Sequence, residues 1–596
     1  MENNQNTDIN NFIYDIEWHR SSLTHDIIAV EARRNIAIVI EKHGIDFYYK
    51  IIEYINSSYQ NIEIICIVIE KEFKRVSNSI YNLNFENENY TKFLLDKKIT
   101  DIVFFCDGSS EISYLDTDGI IDRISQQTKS LIDLITNFTN TFSPPVTIIT
   151  KASSSINIRH SVSSLIQSTL WSAANVIKLE FSEVDLKCID LDNDHETCLP
   201  FLMNEILFNR NIDRVAVKEG YKYIPKLKKH EQAIASYKSE LEGKTFLITG
   251  GTGGIGLTIS EWLATNNIEN ILLVSRFEPN NYVKDRLKDL KKSGVNIRLY
   301  HFDISKKSDV DNLFDMIRSE GYIIDNIIHA AGIIKDATFQ NVKKESLESV
   351  LLPKVAGILN IYNNIKQKNI YIKKIIMFSS STSLIGNVGQ ISYAIANAFL
   401  DGFTYFLKNE GIDATTINWG MWDKIGMANK VDARTHLEVS GFKGISKLNG
   451  IKVLEYLLKN KNILQIAVLP INWKIFLTKY NIGNIEFFDY VSSKDNKVKE
   501  IVGDNVSSFA NKAHATKIDL NKIESLIKGF VSEALGIDAN EITEQSNFSE
   551  LGMDSLSAVI LKNNIQDKMK VNISLMTLYK FINYKDMHDY ILNELK

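Results

Sequence analysis

Apolar and polar positions along this chain follow two periodicities. From Phe12 to about Val217, short apolar-rich runs (NIAIVIE, IEIICIVIE, DIVFFCD, PVTIIT) are separated by stretches with apolar positions at helical spacing, among them SLIDLITNF and SSLIQSTLWSAANVIKLEF. Runs apolar on both faces belong to strands buried in a parallel sheet, and their alternation with helices predicts a doubly wound α/β unit. The pattern restarts near Leu241 and runs to about Tyr490, with KTFLIT, NILLVSR, IRLYHFD, NIIHAAG, KKIIMFSSS and DATTINWG as strands. From Ile518 to Lys596 the periodicity is purely helical, which predicts a small all-α four-helix bundle. The expected organisation is therefore two Rossmann-like units, 11–240 and 241–490, then a linker over 491–517 and a helical domain over 518–596. Residues 1–10 read as disordered, and the basic stretch YKYIPKLKKHE reads as a connector between the two α/β units. The linker loses periodicity and gains Ser, Asn and Lys; as a flexible coil of ~27 residues it spans roughly 30 Å r.m.s..

Composition narrows the classes of function. The chain is 44% hydrophobic and 24% charged, in the range of a soluble globular protein, and no apolar run reaches the ~18 residues of a membrane span. The N-terminus, MENNQNTDINN, is neither a signal peptide nor a basic transit segment, so a cytoplasmic location without membrane partners is expected. Cys66, Cys106, Cys188 and Cys198 show no metal-ligand spacing, and no metal is expected. The net charge of −5 leaves no nucleic-acid footprint. The helical tail, with twelve carboxylates against eight lysines, carries most of it.

The two α/β units differ in chemistry. After the first strand of the first unit stands Glu41-Lys42-His43-Gly44, with one glycine and an acid where phosphate would sit, so this unit reads as structural. The second unit opens with KTFLITGGTGGIG. A strand, Thr245 to Thr249, meets a loop of Gly250, Gly251, Thr252, Gly253, Gly254, Ile255 and Gly256, and a helix follows with Leu257, Ile259, Trp262 and Leu263 on its apolar face. Glycines let the backbone approach a pyrophosphate, and a helix N-terminus supplies N–H groups and a positive dipole end. The next strand ends in Ser275-Arg276, where an arginine suits a 2′-phosphate and so NADPH rather than NADH. Asp303 ends the third strand and serves either to bond the adenine or to cap the next helix; Ala330, Ala331 and Gly332 end the fourth, small enough for a flat ring to lie on backbone.

Downstream, FSSSTSLIGNVGQISYAIAN places Ser380 at a strand end, Tyr393 thirteen residues later and Asn397 one helical turn beyond. Ser379, Ser381 and Ser383 compete for the serine position, and the thirteen-residue interval selects Ser380. With TGGTGGIG before it and INWGMW after it, this constellation resembles the short-chain dehydrogenases, and within them the ketoreductase domain of modular polyketide synthases. The resemblance extends over nearly the whole chain, the first unit resembling the degenerate structural subdomain of such ketoreductases. It implies that the lysine partner of the tyrosine comes from an earlier helix, at Lys354 in LLPKVAGILNI. Tyr393 is then the proton donor to a ketone receiving hydride, Ser380 holds the carbonyl oxygen, and Asn397 holds water or lysine in a relay. A phenol has an unperturbed pKa near ~10, and the expectation is that Lys354, helped by an oxidised cofactor, favours the tyrosinate. In the family, B-type members carry an acidic motif after the fourth strand and A-type members a Trp eight residues before the tyrosine. Here those positions hold Ile334-Lys335-Asp336 and Ile385, so Asp336 keeps one acid of the motif and a B-type, D-configured hydroxyl is expected.

In the tail, NFSELGMDSLSAVILKNNI places Asp554-Ser555 at a helix start ahead of Leu556, Val559 and Ile560. The segment resembles an acyl carrier protein, which implies 4′-phosphopantetheine on Ser555 and a transferase that attaches it. Met553 is expected on a docking surface whose acidic surroundings steer basic partners. The joint expectation is a polyketide synthase fragment reducing a carrier-bound β-ketoacyl thioester, with ketosynthase and acyltransferase subunits as partners. A reductase of free ketones, or a carrier-bearing scaffold with a silent reductase, are the rival expectations.

Overall fold

The computed structural model describes residues 9–492 and 520–595 apart from internal breaks, the longer being 22–31, 106–112, 193–197, 235–240 and 426–440. Its strands form one 17-stranded sheet. The first half supplies β1 (Ile13–Ser21), β2 (Arg34–Ile40), β3 (Ile62–Ile69), β4 (Lys74–Arg75), β5 (Ile80–Leu83), β6 (Asp101–Phe105), β7 (Val146–Lys151), β8 (Leu186–Leu191), β9 (Arg214–Lys218) and β10 (Tyr221–Lys229). The second supplies β11 (Thr245–Thr249), β12 (Asn270–Ser275), β13 (Asn296–His301), β14 (Asn326–His329), β15 (Lys374–Ser380), β16 (Ala414–Trp419) and β17 (Gln465–Val468).

In the second half the parallel pairings run β13-β12-β11-β14-β15-β16-β17, a doubly wound order whose direction reverses at β11. The first half repeats that order as β5-β3-β2-β6-β7-β8-β9, so β2 stands where β11 stands in its sister. Buried strands such as β2, whose last five residues are all almost fully covered, account for the apolar runs of the sequence. Glu41, directly after β2, is held by the Arg123 guanidinium.

The basic stretch taken as a connector is strand β10. It pairs antiparallel with β9 on one side and with β1 on the other, and β1 in turn pairs with β17. One sheet thus crosses the expected boundary at residue 240. The register places Asp15 opposite Lys228 and Glu17 opposite Lys226, so the charges that made the segment look like a linker face opposite charges across the pair. Lys226 also pairs with Glu486 and Asp489.

Near the middle of the sheet, the helices Val162–Glu180 from the first half and Ile391–Asn409 from the second belong to one apolar core with Leu170, Ala173, Phe399 and Phe403. The tail folds as helices Leu520–Leu535, Ser555–Met569 and Tyr584–Glu594 around Ile527, Val531, Leu561, Ile565 and Ile591. The fourth helix expected there, the linker, Asp554 and the side chains of Ser555, Leu556 and Val559 lie outside the described residues. Among the described residues no helix is long and apolar enough to cross a membrane.

Candidate active site

The glycine loop follows β11 and leads into the helix Gly254–Ala264. Gly250 has φ +67° and sits on the end of β14, where a Cβ would come within 3.0 Å of the Ala331 backbone. Gly256 lets the helix approach the loop; its Cβ would lie 2.5 Å from the Gly250 carbonyl oxygen. The loop, the N-terminus of this helix and Ala330, Ala331 and Gly332 line a cleft of about 650 Å³. A backbone cradle at a helix N-terminus, beside three small residues, fits a dinucleotide. Ser275, outside the cleft lining, accepts a hydrogen bond from Thr252 Oγ1 at 2.8 Å and donates to the Phe277 carbonyl at 3.1 Å. Arg276 lies over the Phe277 ring, 5.3 Å from its centroid. Asp303 Oδ1 accepts from the Ser305 amide at 3.1 Å and its hydroxyl at 2.7 Å, within the turn that leads to the next helix. Sequence reasoning missed Tyr282, Arg286 and Lys447 at the cleft, the last two paired with Glu261. Their only signal was an amphipathic helix (Arg286) and a helix start (Lys447).

A second cavity, about 140 Å³, is lined by Lys354, Ser379, Ser380, Ser381 and Tyr393 together with Ile334, Gly386, Asn387 and Gln390. It shares Ile255, Ala330 and Ile425 with the cleft, so the two are adjoining parts of one groove. Ser380 ends β15, and its hydroxyl accepts from the Thr382 amide at 3.3 Å. Ser379 and Ser383 are otherwise engaged, with the Asn397 carbonyl and the Asp401 carboxylate respectively. Lys354 stands in a π-helical turn, Leu352–Ala356, between two α-helices. Such a turn carries an extra residue in the helix and re-aims its side chains. Lys354 Nζ donates to the Phe378 carbonyl at 2.7 Å and lies 5.4 Å from the centroid of the Tyr393 ring. His329 fixes the turn from below. Burial pushes it down to about 3, so it is neutral. Its Nε2 lies 3.0 Å from the Lys354 carbonyl, which only accepts, so Nε2 carries the proton and Nδ1 accepts from Thr249 Oγ1 at 2.9 Å.

Burial pushes Tyr393 up to about 12, with hydrogen bonds from Asn397 and Ser380 opposing it. Lys354 is itself fully buried: loss of water pushes it down to about 7, against the pull of the Asp401 charge. Asn397 Nδ2 donates to the Tyr393 carbonyl at 2.7 Å, and its Oδ1 is buried with no hydrogen-bond partner among the described residues. Asp336 is exposed and accepts from Gln390 Nε2 at 3.1 Å, whereas Ile385 is buried in a separate apolar cluster with Tyr14 and Phe442. On the tail, Met553 belongs to an apolar cluster that includes Leu179 and Val388 of the α/β body. Lys562 of the tail pairs with Glu183 of the body at 2.9 Å.

Comparison with known proteins agrees with this layout. Residues 244–424 match the KR domain family and residues 525–591 match the phosphopantetheine attachment site family. Among curated proteins, a 6-methylsalicylic acid synthase of Arthrobotrys oligospora is 26% identical over 440 residues, covering 69% of this chain and 24% of that protein. Polyketide synthase PksN of Bacillus subtilis is 27% identical over 355 residues, 57% of this chain and 6% of its own length. The chain thus spans about a quarter or less of these relatives. Among solved structures, A-type ketoreductases from a modular polyketide synthase align with TM-score 0.67 at 18% identity, over 79% of this chain and 96% of theirs. An N-terminal ketoreductase from the macrolactin assembly line aligns with TM-score 0.64 at 20% identity, over 78% and 93%. One stretch of the chain therefore matches the KR domain and another the phosphopantetheine attachment site, and these curated relatives are polyketide synthases or 6-methylsalicylic acid synthases.

Proposed function

We propose that this chain is an NADPH-dependent ketoreductase that reduces a carrier-tethered β-ketoacyl thioester to the β-hydroxyacyl thioester. The observation that carries the reading is the placement of Lys354, Ser380 and Tyr393 around one cavity that shares walls with the glycine-loop cleft. NADPH, when bound, supplies the hydride to the carbonyl carbon. Arg276, at the end of the second strand, favours a 2′-phosphate. Negative charge then builds on the carbonyl oxygen, where Ser380 donates a hydrogen bond and Tyr393 gives up its proton. With its pKa raised to about 12, Tyr393 is fully protonated at neutral pH, as a proton donor must be. Lys354 stabilises the phenolate left behind, and its pKa of about 7 suits it to pass a proton inward, with Asn397 holding the relay.

Asp336, anchoring Gln390 at the cavity mouth, supports B-type selectivity and a D-configured hydroxyl. Ser555, opening its helix within the phosphopantetheine match, is the attachment point for the substrate arm, which raises local substrate concentration. A β-ketoacyl group is the product of a condensation, so ketosynthase and acyltransferase partners supply it and a phosphopantetheinyl transferase primes the carrier. The test is intact mass after loading Ser555 with an acetoacetyl-phosphopantetheine arm. A gain of two hydrogens only with NADPH is expected; loading without reduction would refute the reductase, and no loading would refute the carrier.

A further inference from the structure

The twelve residues between Ser380 and Tyr393 form one wall of the catalytic cavity, through Gly386, Asn387 and Gln390. This wall is held largely by side chains of the first half. Ser172 Oγ donates to the Ser383 carbonyl at 2.7 Å, and Asn175 Nδ2 and Arg214 Nη1 donate to the Leu384 carbonyl at 3.1 and 2.9 Å. At the end of the Val162–Glu180 helix, Glu180 does more. Its Oε1 accepts from the Gly389 amide at 2.8 Å, and its Oε2 accepts from the Phe339 amide at 2.7 Å. The second wall is Ile334, whose segment continues through Asp336 to Phe339, themselves outside the lining. The walls also touch each other: the Ala337 amide donates to the Gly389 carbonyl at 2.8 Å, and Gln390 reaches Asp336.

Glu180 is 1% exposed and, among the described residues, has no ion-pair partner; burial pushes its carboxyl up to about 8. A buried acid without a cation costs the fold stability, and an apolar residue would pack there at less cost. The acid's one evident gain is the pair of amides it holds. We propose that Glu180 is a positioning residue for selectivity: one carboxylate from the non-catalytic half sets the spacing of the two cavity walls, and with it the face of the ketone presented to the hydride. The proposal rests on the reductase reading above.

The test is Glu180→Gln, which keeps the size but offers a single acceptor oxygen to two amides. It is assayed on an acetoacetyl-loaded carrier with chiral analysis of the 3-hydroxyl, beside NADPH affinity and melting temperature. A wild type that binds NADPH yet leaves the ketone untouched counts against the reductase reading itself. With an active wild type, the variant is expected to bind NADPH within about twofold of it, since Glu180 lies outside the cofactor cleft. Its kcat/KM is expected to fall by ~10- to 100-fold, the scale of a misplaced substrate, and its enantiomer ratio to move toward even. An unchanged ratio would overturn the proposal. So would a joint loss of NADPH affinity and melting temperature, which would mark Glu180 as a support of the fold alone.

Discussion

Gly256→Ala tests the cofactor cleft at its tightest point. The added Cβ would stand 2.5 Å from the Gly250 oxygen, 2.7 Å from Gly251 Cα and 2.8 Å from the Gly251 carbonyl carbon. Ordinary carbon contacts begin near 3.4 Å, so helix and loop must part by nearly 1 Å. All three obstacles are backbone, and the loop is pinned: the Gly251 amide donates to the Val274 carbonyl at 3.2 Å and the Gly253 amide to the Gly250 carbonyl at 3.0 Å. Overpacking of this kind costs about 1–3 kcal/mol, or about 5- to 150-fold in the folding equilibrium. The displaced helix carries the amides that face the phosphates, so NADPH affinity is expected to drop at least ~10-fold. Gly253→Ala is the control; its Cβ meets only the Gly250 oxygen, at 3.2 Å, and a change under about threefold is expected. Fluorescence titration with NADPH and thermal melts read both effects. Equal NADPH affinity in Gly256→Ala and wild type would refute the placement of the cofactor against this loop.

Four further outcomes are expected. Lys354 loses its cation as pH rises through about 7, so kcat/KM for reduction should fall across that range, while Tyr393 adds no limb below about 12. Residual activity in Lys354→Met should lack the limb; its persistence would assign the titration elsewhere. The same depressed pKa means the unfolded chain binds more protons between about 7 and 10.5, so the contribution of Lys354 makes stability rise with pH over that window. Arg276→Ala should weaken NADPH by ~10-fold while sparing NADH, in parallel titrations; equal losses would remove Arg276 from the 2′-phosphate. Lys562→Glu should slow reduction of a carrier-bound ketone several-fold but not that of a free thioester, with Glu183→Lys restoring it in the double variant. Failure of the double variant to recover would show that the pair does not guide the carrier.

The sequence disclosed those elements whose side chains share one environment. Strands such as β2 and β15 are covered on both faces and read as apolar runs. Strand β10 interleaves the covered Ile224, Pro225 and Leu227 with lysines, two of which face acids of β1, and such a Lys-rich stretch looks like a linker. The repeat was legible as two Rossmann-like units, although the first half has Glu41, held by Arg123, where its sister has the glycine loop. At the site, Ser380, Tyr393 and the glycines were legible because strand ends and helix starts place them by local rules, whereas Lys354 was reached only through resemblance. Its π-helical turn and the His329 support depend on packing between distant segments. Glu180 was invisible for a similar reason. A glutamate closing an apolar helix reads as solvated, and only the folded chain shows it buried against two amides.

The place of β1 changes what counts as a separable piece. This strand comes from residues 13–21 yet lies against β17, at the far end of the catalytic half. A chain trimmed to 241–490 would leave the backbone of β17 bare, an open edge able to recruit strands from other molecules. Expressed alone, such a fragment should aggregate, and supplying residues 13–21 and 221–229 should restore its solubility. The second half is thus sealed by residues of the first, and a substitution near residue 14 can disturb a groove assembled hundreds of positions later.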